Sequence, residues 1–303
     1  LLGLDNAATP LWLKAMKQMQ ELNPNPEEAS NAQIMFLVLN TSGLTLIPLA
    51  IILDRSILGA ANPTDIFIPT MIATFFSSMG GLIVISIVQR INLFDKVILA
   101  YIWGLTLLVS LAIYYFGSLP QAELQQQSNL FSSLIILSVI VVFLVLGWSK
   151  KIPLYETFVE GAKEGFETSI KIVPYLIGIL VAIGVFRTSG ALDYFTQGVG
   201  FLVSLTGANT DFVDALPVAF LKPLSGGAAK GMMVSTIEAH GVDSFAGRLA
   251  SIFRGCTETT FYILAVYFGS VNIRKTRYAV TVGLIADFIG IVAAIFVAYL
   301  FFH

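Results

Sequence analysis

Asn40, Thr41 and Ser42 lie inside the apolar run LNTSGLTLIP (Leu39 to Pro48), and Thr257, Glu258 and Thr259 lie inside a second run, GCTETTFYIL (Gly255 to Leu264). Amides, hydroxyls and one carboxylate in such surroundings can hold a polar solute or a cation. A carboxylate in hydrocarbon costs about 2.5 to 3.5 kcal/mol or more, so Glu258 is expected to face water, a cation or a basic partner. It is the first candidate for a coupling residue.

Backbone freed from a helix inside lipid must find new partners, so breaks of this kind survive only where they line a cavity or pack on protein. Two of them, about half a chain apart, point to paired discontinuous helices around a transport site at mid-membrane. The composition agrees. Apolar residues make up 56% of the 303 and charged residues 12%, against roughly 25% charged in soluble domains. A net charge of −2 excludes a strongly basic nucleic-acid binder. The single cysteine, Cys256, cannot form an intramolecular disulfide and reads as a small apolar filler beside a break. Two histidines, His240 and His303, are too few for a His-rich metal site, and no metal or cofactor is expected beyond a coupling Na⁺ or H⁺.

The expected fold class is an all-α polytopic membrane protein. A span needs about 20 apolar residues, and seven stretches qualify: Gln33 to Leu53, Ile66 to Val88, Val97 to Phe116, Leu130 to Trp148, Ile170 to Phe186, Phe245 to Gly269 and Tyr278 to Phe302. With this parse, 11 of the 17 Lys and Arg collect on one side: Lys14, Lys17, Arg90, Lys96, Lys150, Lys151, Lys163, Lys171, Arg274, Lys275 and Arg277. By the positive-inside rule that side is cytoplasmic and the C-terminus lies outside. Between Lys151 and Thr168, charges alternate with apolar residues at helical spacing, which fits an interfacial amphipathic helix or a short helical linker.

Phe212 to Gly241 holds two apolar arms of about ten residues around PLSGG, too short to cross the bilayer. A re-entrant hairpin is expected, with a plain helix pair outside the membrane as the alternative. Pro223 ends the first arm, Ser225, Gly226 and Gly227 form the tip, and the amides of Ala228 and Ala229 open the second arm. Near the N-terminus, Asp5, Asn6 and Thr9 occupy a similar small polar tip, followed by a helix starting at Pro10. Asp5 and Lys230 would flank the two tips and offer opposite charges to a polar or zwitterionic solute. Alternatively, Lys230 pairs with Asp5 or Glu258 and only locks the hairpins. Arg254, one turn before Glu258, invites an internal salt bridge.

Matching Ala7 and Ala8 to Ala228 and Ala229, and Thr45 to Thr260, makes the halves repeats. Counting crossings puts the two breaks on the first and sixth spans, in opposite orientation. That is inverted-repeat architecture, with re-entrant hairpins and discontinuous transmembrane helices. The expected division is residues 1–117 for the first repeat, 118–153 for a connecting loop and helix, and 154–303 for the second repeat. A complete first repeat would have roughly 65 to 70 further residues upstream. Gly80 and Gly81, and the small-residue run Ala286 to Ala294, are expected to allow close helix packing. Asp287, inside the last span, is a further residue that could line the cavity.

The segments LDNAATPLWLKAM, NPNPEEASNAQIMFLVLNTSGLTLIP and ANPTDIFIPTMIATF, and later LKPLSGGAAKGMMV and FRGCTETTFYILAVYFGSV, resemble spore maturation proteins A and B joined in one chain. The resemblance covers nearly all of the sequence. Both parts are similar to the nucleoside-recognition, or Gate, group, which resembles portions of concentrative nucleoside transporters and of the bacterial ferrous iron transporter B. It implies a multi-pass protein of the bacterial inner (cytoplasmic) membrane with a transporter-like core, but no nucleoside substrate.

The expected function is a secondary transporter or exporter of a small polar solute, with alternating access around the two broken helices. The alternative is a non-transporting membrane scaffold or regulator that binds a ligand or protein partner. An enzyme is not expected, since HExxH, GxSxG and paired aspartates on adjacent spans are all missing. The expected partners are the lipid bilayer and the solute, with a homo-oligomer left open. The expected solute-binding residues are Asp5, Asn6, Thr9, Asn40, Thr41, Ser42, Ser225, Gly226, Gly227, Lys230, Thr257, Glu258 and Thr259.

Overall fold

The structure, a computed structural model, describes residues 9–46, 48–93, 95–163, 188–205 and 209–303, with single positions 166, 177, 181, 185 and 207. The described residues are helical and contain no strand, only an isolated bridge between Glu28 and Lys275. The helices are α1 (Thr9–Glu21), α2 (Asn31–Thr41), α3 (Leu49–Ile57), α4 (Phe67–Gln89), α5 (Lys96–Gly117), α6 (Gln121–Ser149), α7 (Ala191–Ser204), α8 (Leu216–Leu221), α9 (Gly226–His240), α10 (Phe245–Gly255), α11 (Thr260–Ser270) and α12 (Ala279–Phe302). Among the described residues, α4 and α12 are long and apolar enough to cross a membrane. The expected span Ile170 to Phe186 lies outside the described residues apart from single positions.

Two expected spans are each split in two. Gln33 to Leu53 becomes α2 and α3, and Phe245 to Gly269 becomes α10 and α11. Helix α2 starts on a capping box: Ser30 Oγ accepts from the Gln33 amide, and Gln33 Oε1 accepts from the Ser30 amide. It stops at Gly43, whose φ of +28° suits glycine. Helix α10 starts on Ser244, whose Oγ accepts from the Gly247 amide.

Helices α4 and α12 pack against each other along much of their length. The small residues permit this: a Cβ on Gly80 would stand 2.6 Å from Ile289 Cδ1, and one on Gly81 would stand 3.2 Å from Ala286 Cβ. The pair is antiparallel. At one end Tyr278 donates to Asn31 and Gln89 donates to the Asn31 carbonyl. At the other, Arg248 bonds Asp65 and lies over the Phe302 ring.

These two ends also gather the charges. Arg277 reaches Glu28 and the Ala29 carbonyl beside the start of α12. Arg55, Asp65, Asp243 and Arg248 form a network beside its far end. Twenty-four helical residues separate the clusters by about 36 Å. The α2–α3 pair runs from the Asn31 end to the Arg55 end, whereas α10–α11 runs from the Asp243 end back to Arg274. The two broken helices are therefore antiparallel.

One apolar core, including Ile51, Ile66, Phe253 and Ala298, fills the Arg55 end, and another, including Met16, Ile34, Tyr267 and Val282, fills the Asn31 end. Between them lies a layer rich in buried polar residues: Thr41, Ser42, Thr45, Thr74, Ser77, Ser78, Thr257, Thr259, Thr260 and Asp287. Both breaks lie in this layer.

Candidate functional site

The breaks bond directly to each other, the Glu258 amide donating to the Thr41 carbonyl at 2.8 Å. Each break also finds the backbone partners that an interrupted helix lacks. In the first, the Thr45 amide donates to Thr74 Oγ1 (3.2 Å) and Ser78 donates to the Ser42 carbonyl (3.1 Å). In the second, the Phe261 amide donates to the Pro223 carbonyl (2.9 Å) at the turn between α8 and α9. The same turn presses Gly226 on the break: a Cβ there would stand 3.0 Å from Thr259 Oγ1.

Helix α12 is the floor under both. A Cβ on Gly283 would lie 3.0 Å from Thr260 Cγ2 and 3.6 Å from Thr41 Cγ2, and one on Gly290 would lie 2.8 Å from Thr257 Cγ2. Between these glycines, Asp287 Oδ2 accepts from Thr260 Oγ1 at 2.5 Å.

A cavity of about 10 Å³ opens at the breaks, lined by Thr45, Pro48, Ile51, Lys222, Arg254, Gly255, Thr257 and Glu258. That is room for about one water molecule. Lys222 and Arg254 are 2% and 5% exposed, so two buried cations share the cavity with one carboxylate. A larger polar cavity of about 280 Å³ lies near the end of α12, lined by Asn62, Asp65, Arg248 and His303 among others.

The structure brings together Thr41, Thr257, Glu258, Thr259 and Gly226 from the expected set. Asn40 and Ser42 turn back on their own helix, Asn40 Nδ2 donating to the Phe36 carbonyl (2.6 Å) and Ser42 Oγ to that of Leu39 (3.3 Å). Ser225 caps α9 through the Ala228 amide (3.2 Å), and its carbonyl accepts from Ala229. Those two amides, expected to begin the second arm, lie in the first turn of α9 and are bonded from within the chain. Gly226 and Gly227 start α9 instead of forming a free turn. Lys230 pairs with Asp54 of α3 at 2.7 Å, in place of the Asp5 or Glu258 partner expected in the locking alternative. Asp5, Asn6 and the Thr9 side chain lie outside the described residues.

Lys222 and Thr45 were missing from the expected set, and Asp287 stood outside it as a residue that could line the cavity. Lys222 carried a signal, a lysine next to Pro223 at the tip of an apolar arm. Asp287 carried one too, an acid inside a span.

The second break and the α8–α9 turn fall within residues 169–274, which match the Gate family, described as nucleoside recognition. The chain is 49% identical to spore maturation protein B of Bacillus subtilis (strain 168) over 164 residues, 54% of this chain and 90% of that protein. It is 50% identical to spore maturation protein A of the same organism over 82 residues, 27% of this chain and 42% of that protein. The chain belongs to the spore maturation protein family. It carries A-like and B-like sequence together, as the fused arrangement implies. No solved structure matches it. In this chain, Lys222, Arg254, Thr257 and Glu258 lie inside the matched Gate region, and Asp287 lies beyond it.

Proposed function

We propose that this chain is a secondary transporter or exporter of a small polar solute in the bacterial inner membrane, working by alternating access around two broken helices. The observation that carries this reading is the Glu258 to Thr41 bond, which joins two antiparallel breaks inside a polar layer between two apolar cores. Inverted repeats make sense of that arrangement. A half-turn in the membrane plane exchanges α2–α3 with α10–α11. It also pairs the packing of α1 on α11 with the Lys230–Asp54 tie of α9 to α3.

The turn between α8 and α9 acts in this reading as a re-entrant tip resting on the second break. Lys222 and Arg254, set against Glu258, suit a solute that bears a negative group. Bare apolar surface favours a bilayer around the helices: on α6, Val142, Phe143, Val145 and Trp148 are all exposed. A cavity of about 10 Å³ belongs to a closed state, which must open to admit a solute.

The small cavity also favours a second reading, a non-transporting scaffold that uses the exposed apolar face for a protein partner. One experiment separates the two. Full-length protein in detergent is heated with nucleosides, amino acids, small carboxylates or phosphate esters, beside Glu258→Gln and Lys222→Gln, and positive solutes go on to proteoliposome flux. A solute at 100 times its dissociation constant adds about 2.7 kcal/mol of stability. A shift with one class, lost in both variants and matched by flux, supports transport. Folded protein that responds to none of them sinks it.

A further inference from the structure

Asp287 lies on α12 between Gly283 and Gly290, 2% exposed, and only one of its carboxylate oxygens is satisfied. Oδ2 accepts from Thr260, while Oδ1 has no hydrogen-bond partner. The Thr41 hydroxyl on the other break is also fully buried and without a partner. Gly283 lets both threonines approach the same turn of α12. A half-satisfied carboxylate and an unsatisfied hydroxyl are thus brought to one region of α12, Thr41 packing at Gly283, one turn from Asp287. A buried carboxylate oxygen and a buried hydroxyl, each without a hydrogen-bond partner, call for a further partner.

The charged group that faces Asp287 is Lys222, with Thr257 and Thr260 as the facing hydroxyls. Arg254 and Glu258 line the adjoining cavity, which Lys222 also lines. Oxygen donors with a single negative charge suit a hard cation of charge one. A divalent ion would leave excess positive charge beside Lys222. Lys222 therefore has two roles to divide: it can offset Asp287, or it can turn to an anionic group in the cavity. When it turns to the solute, Asp287 is left buried and uncompensated, a costly state. A cation arriving with the solute removes that cost.

We infer that Asp287, with the hydroxyls of Thr41 and Thr260, forms a site for a monovalent cation, H⁺ or Na⁺, whose occupancy is linked through Lys222 to an anionic solute. Asp287 and Thr41 lie outside the Gate match, and Thr260 lies inside it. The link to a solute rests on the transport reading, but the cation site does not. By linkage, the solute must tighten the cation as much as the cation tightens the solute.

The test is infrared difference spectroscopy on full-length protein, with pH stepped from about 5 to about 9 and, separately, with NaCl exchanged for choline chloride. A proton site gives a carboxylic-acid carbonyl band that disappears as pH rises, is indifferent to Na⁺, is lost in Asp287→Asn and is kept in Glu258→Gln. A Na⁺ site gives a carboxylate band that moves on adding Na⁺ and is lost in the same variant. Should Asp287→Asn fail to fold, Thr260→Val keeps the carboxylate and shifts its band, which makes the same assignment. Spectra of Asp287→Asn identical to the parent in both series mean a fixed charge state paired with Lys222, and overturn the inference. Cation binding without flux of any solute would leave the site standing and sink the transport reading; flux with a silent Asp287 would do the reverse.

Discussion

A Cβ placed on Gly43 would stand 2.8 Å from Cγ of Glu258, across the gap between the two breaks. The first break therefore leaves room for the carboxylate arm of the second, and Gly43 also holds a φ of +28°. Gly43→Ala meets both constraints at once. It is expected to lose about 1–3 kcal/mol of stability through overpacking and backbone strain. Its solute-dependent stabilisation should fall with it, because Glu258 has to move. A thermal melt equal to that of the parent would mean that Glu258 yields freely and is not held in place by the break.

Gly290 and Gly269 make a matched pair of glycine tests. A Cβ on Gly290 would meet Thr257 Cγ2 at 2.8 Å and Ser77 Cβ at 3.0 Å, whereas one on Gly269 meets nothing within 4 Å. Gly290→Ala should destabilise the fold by about 1–3 kcal/mol. Gly269→Ala, inside α11, should be neutral or gain up to about 1 kcal/mol from helix propensity. Equal melts for the two variants would remove the close seating of the second break on α12.

The breaks were legible because polar residues stand out in apolar runs, and the long helices because their runs end cleanly. Ile66 to Val88 became α4 at Phe67–Gln89, and Tyr278 to Phe302 became α12 at Ala279–Phe302. What the sequence hid was the direction in which polar side chains face. Asn40 and Thr41 are neighbours on one helix, yet the Asn40 side chain bonds back to Phe36 while the Thr41 side chain packs at Gly283 of α12. A helical residue turns through about 100° relative to its neighbour, so adjacent polar residues need not share a site. The partner of Lys230 was hidden for another reason. Asp54 lies 176 residues away, and only the antiparallel meeting of the halves brings α3 beside α9. Asp287 was visible as an uncomfortable charge, but its bond to Thr260 depends on which turn of α12 the break rests on.

Arg55 ties the halves together at one end of the molecule. It is fully buried, bonds the Val242 carbonyl (2.9 Å) and pairs with Asp65 (3.0 Å) and Asp243 (3.2 Å), while Arg248 holds the other oxygen of Asp65 (2.6 Å). Arg55→Ala leaves Asp65 buried with half of its compensation and should cost about 3–5 kcal/mol. Burial, with a smaller push from Asp243, holds the Asp65 carboxyl above its ordinary range, and Arg55 and Arg248 pull it only part of the way back, so Asp65→Asn should cost less than Arg55→Ala. Melts of the two variants against exposed Lys150→Ala check this. An Arg55→Ala melt no lower than the Lys150→Ala melt would show that the network does not hold the halves.

His303 bonds the Asp211 carboxylate through Nε2 at 2.9 Å and so fastens the end of α12 to the loop before α8. The His303 hydrogen bond, with help from Asn209, holds the Asp211 carboxyl below its ordinary range. A carboxyl depressed in the folded state contributes stability that is full above its unfolded value, about 3.9, and that fades as pH falls through the lower folded value. Both side chains are about half exposed, so solvent screens the effect and it stays local. Hydrogen-exchange protection at residues 299–302 should drop below about pH 4, while protection in the middle of α4 holds. In His303→Ala that protection should be low at every pH. A parent protein whose 299–302 protection is flat down to about pH 2 would mean that ring packing of His303 on Phe245 and Tyr299, and not its bond to Asp211, fastens the helix end.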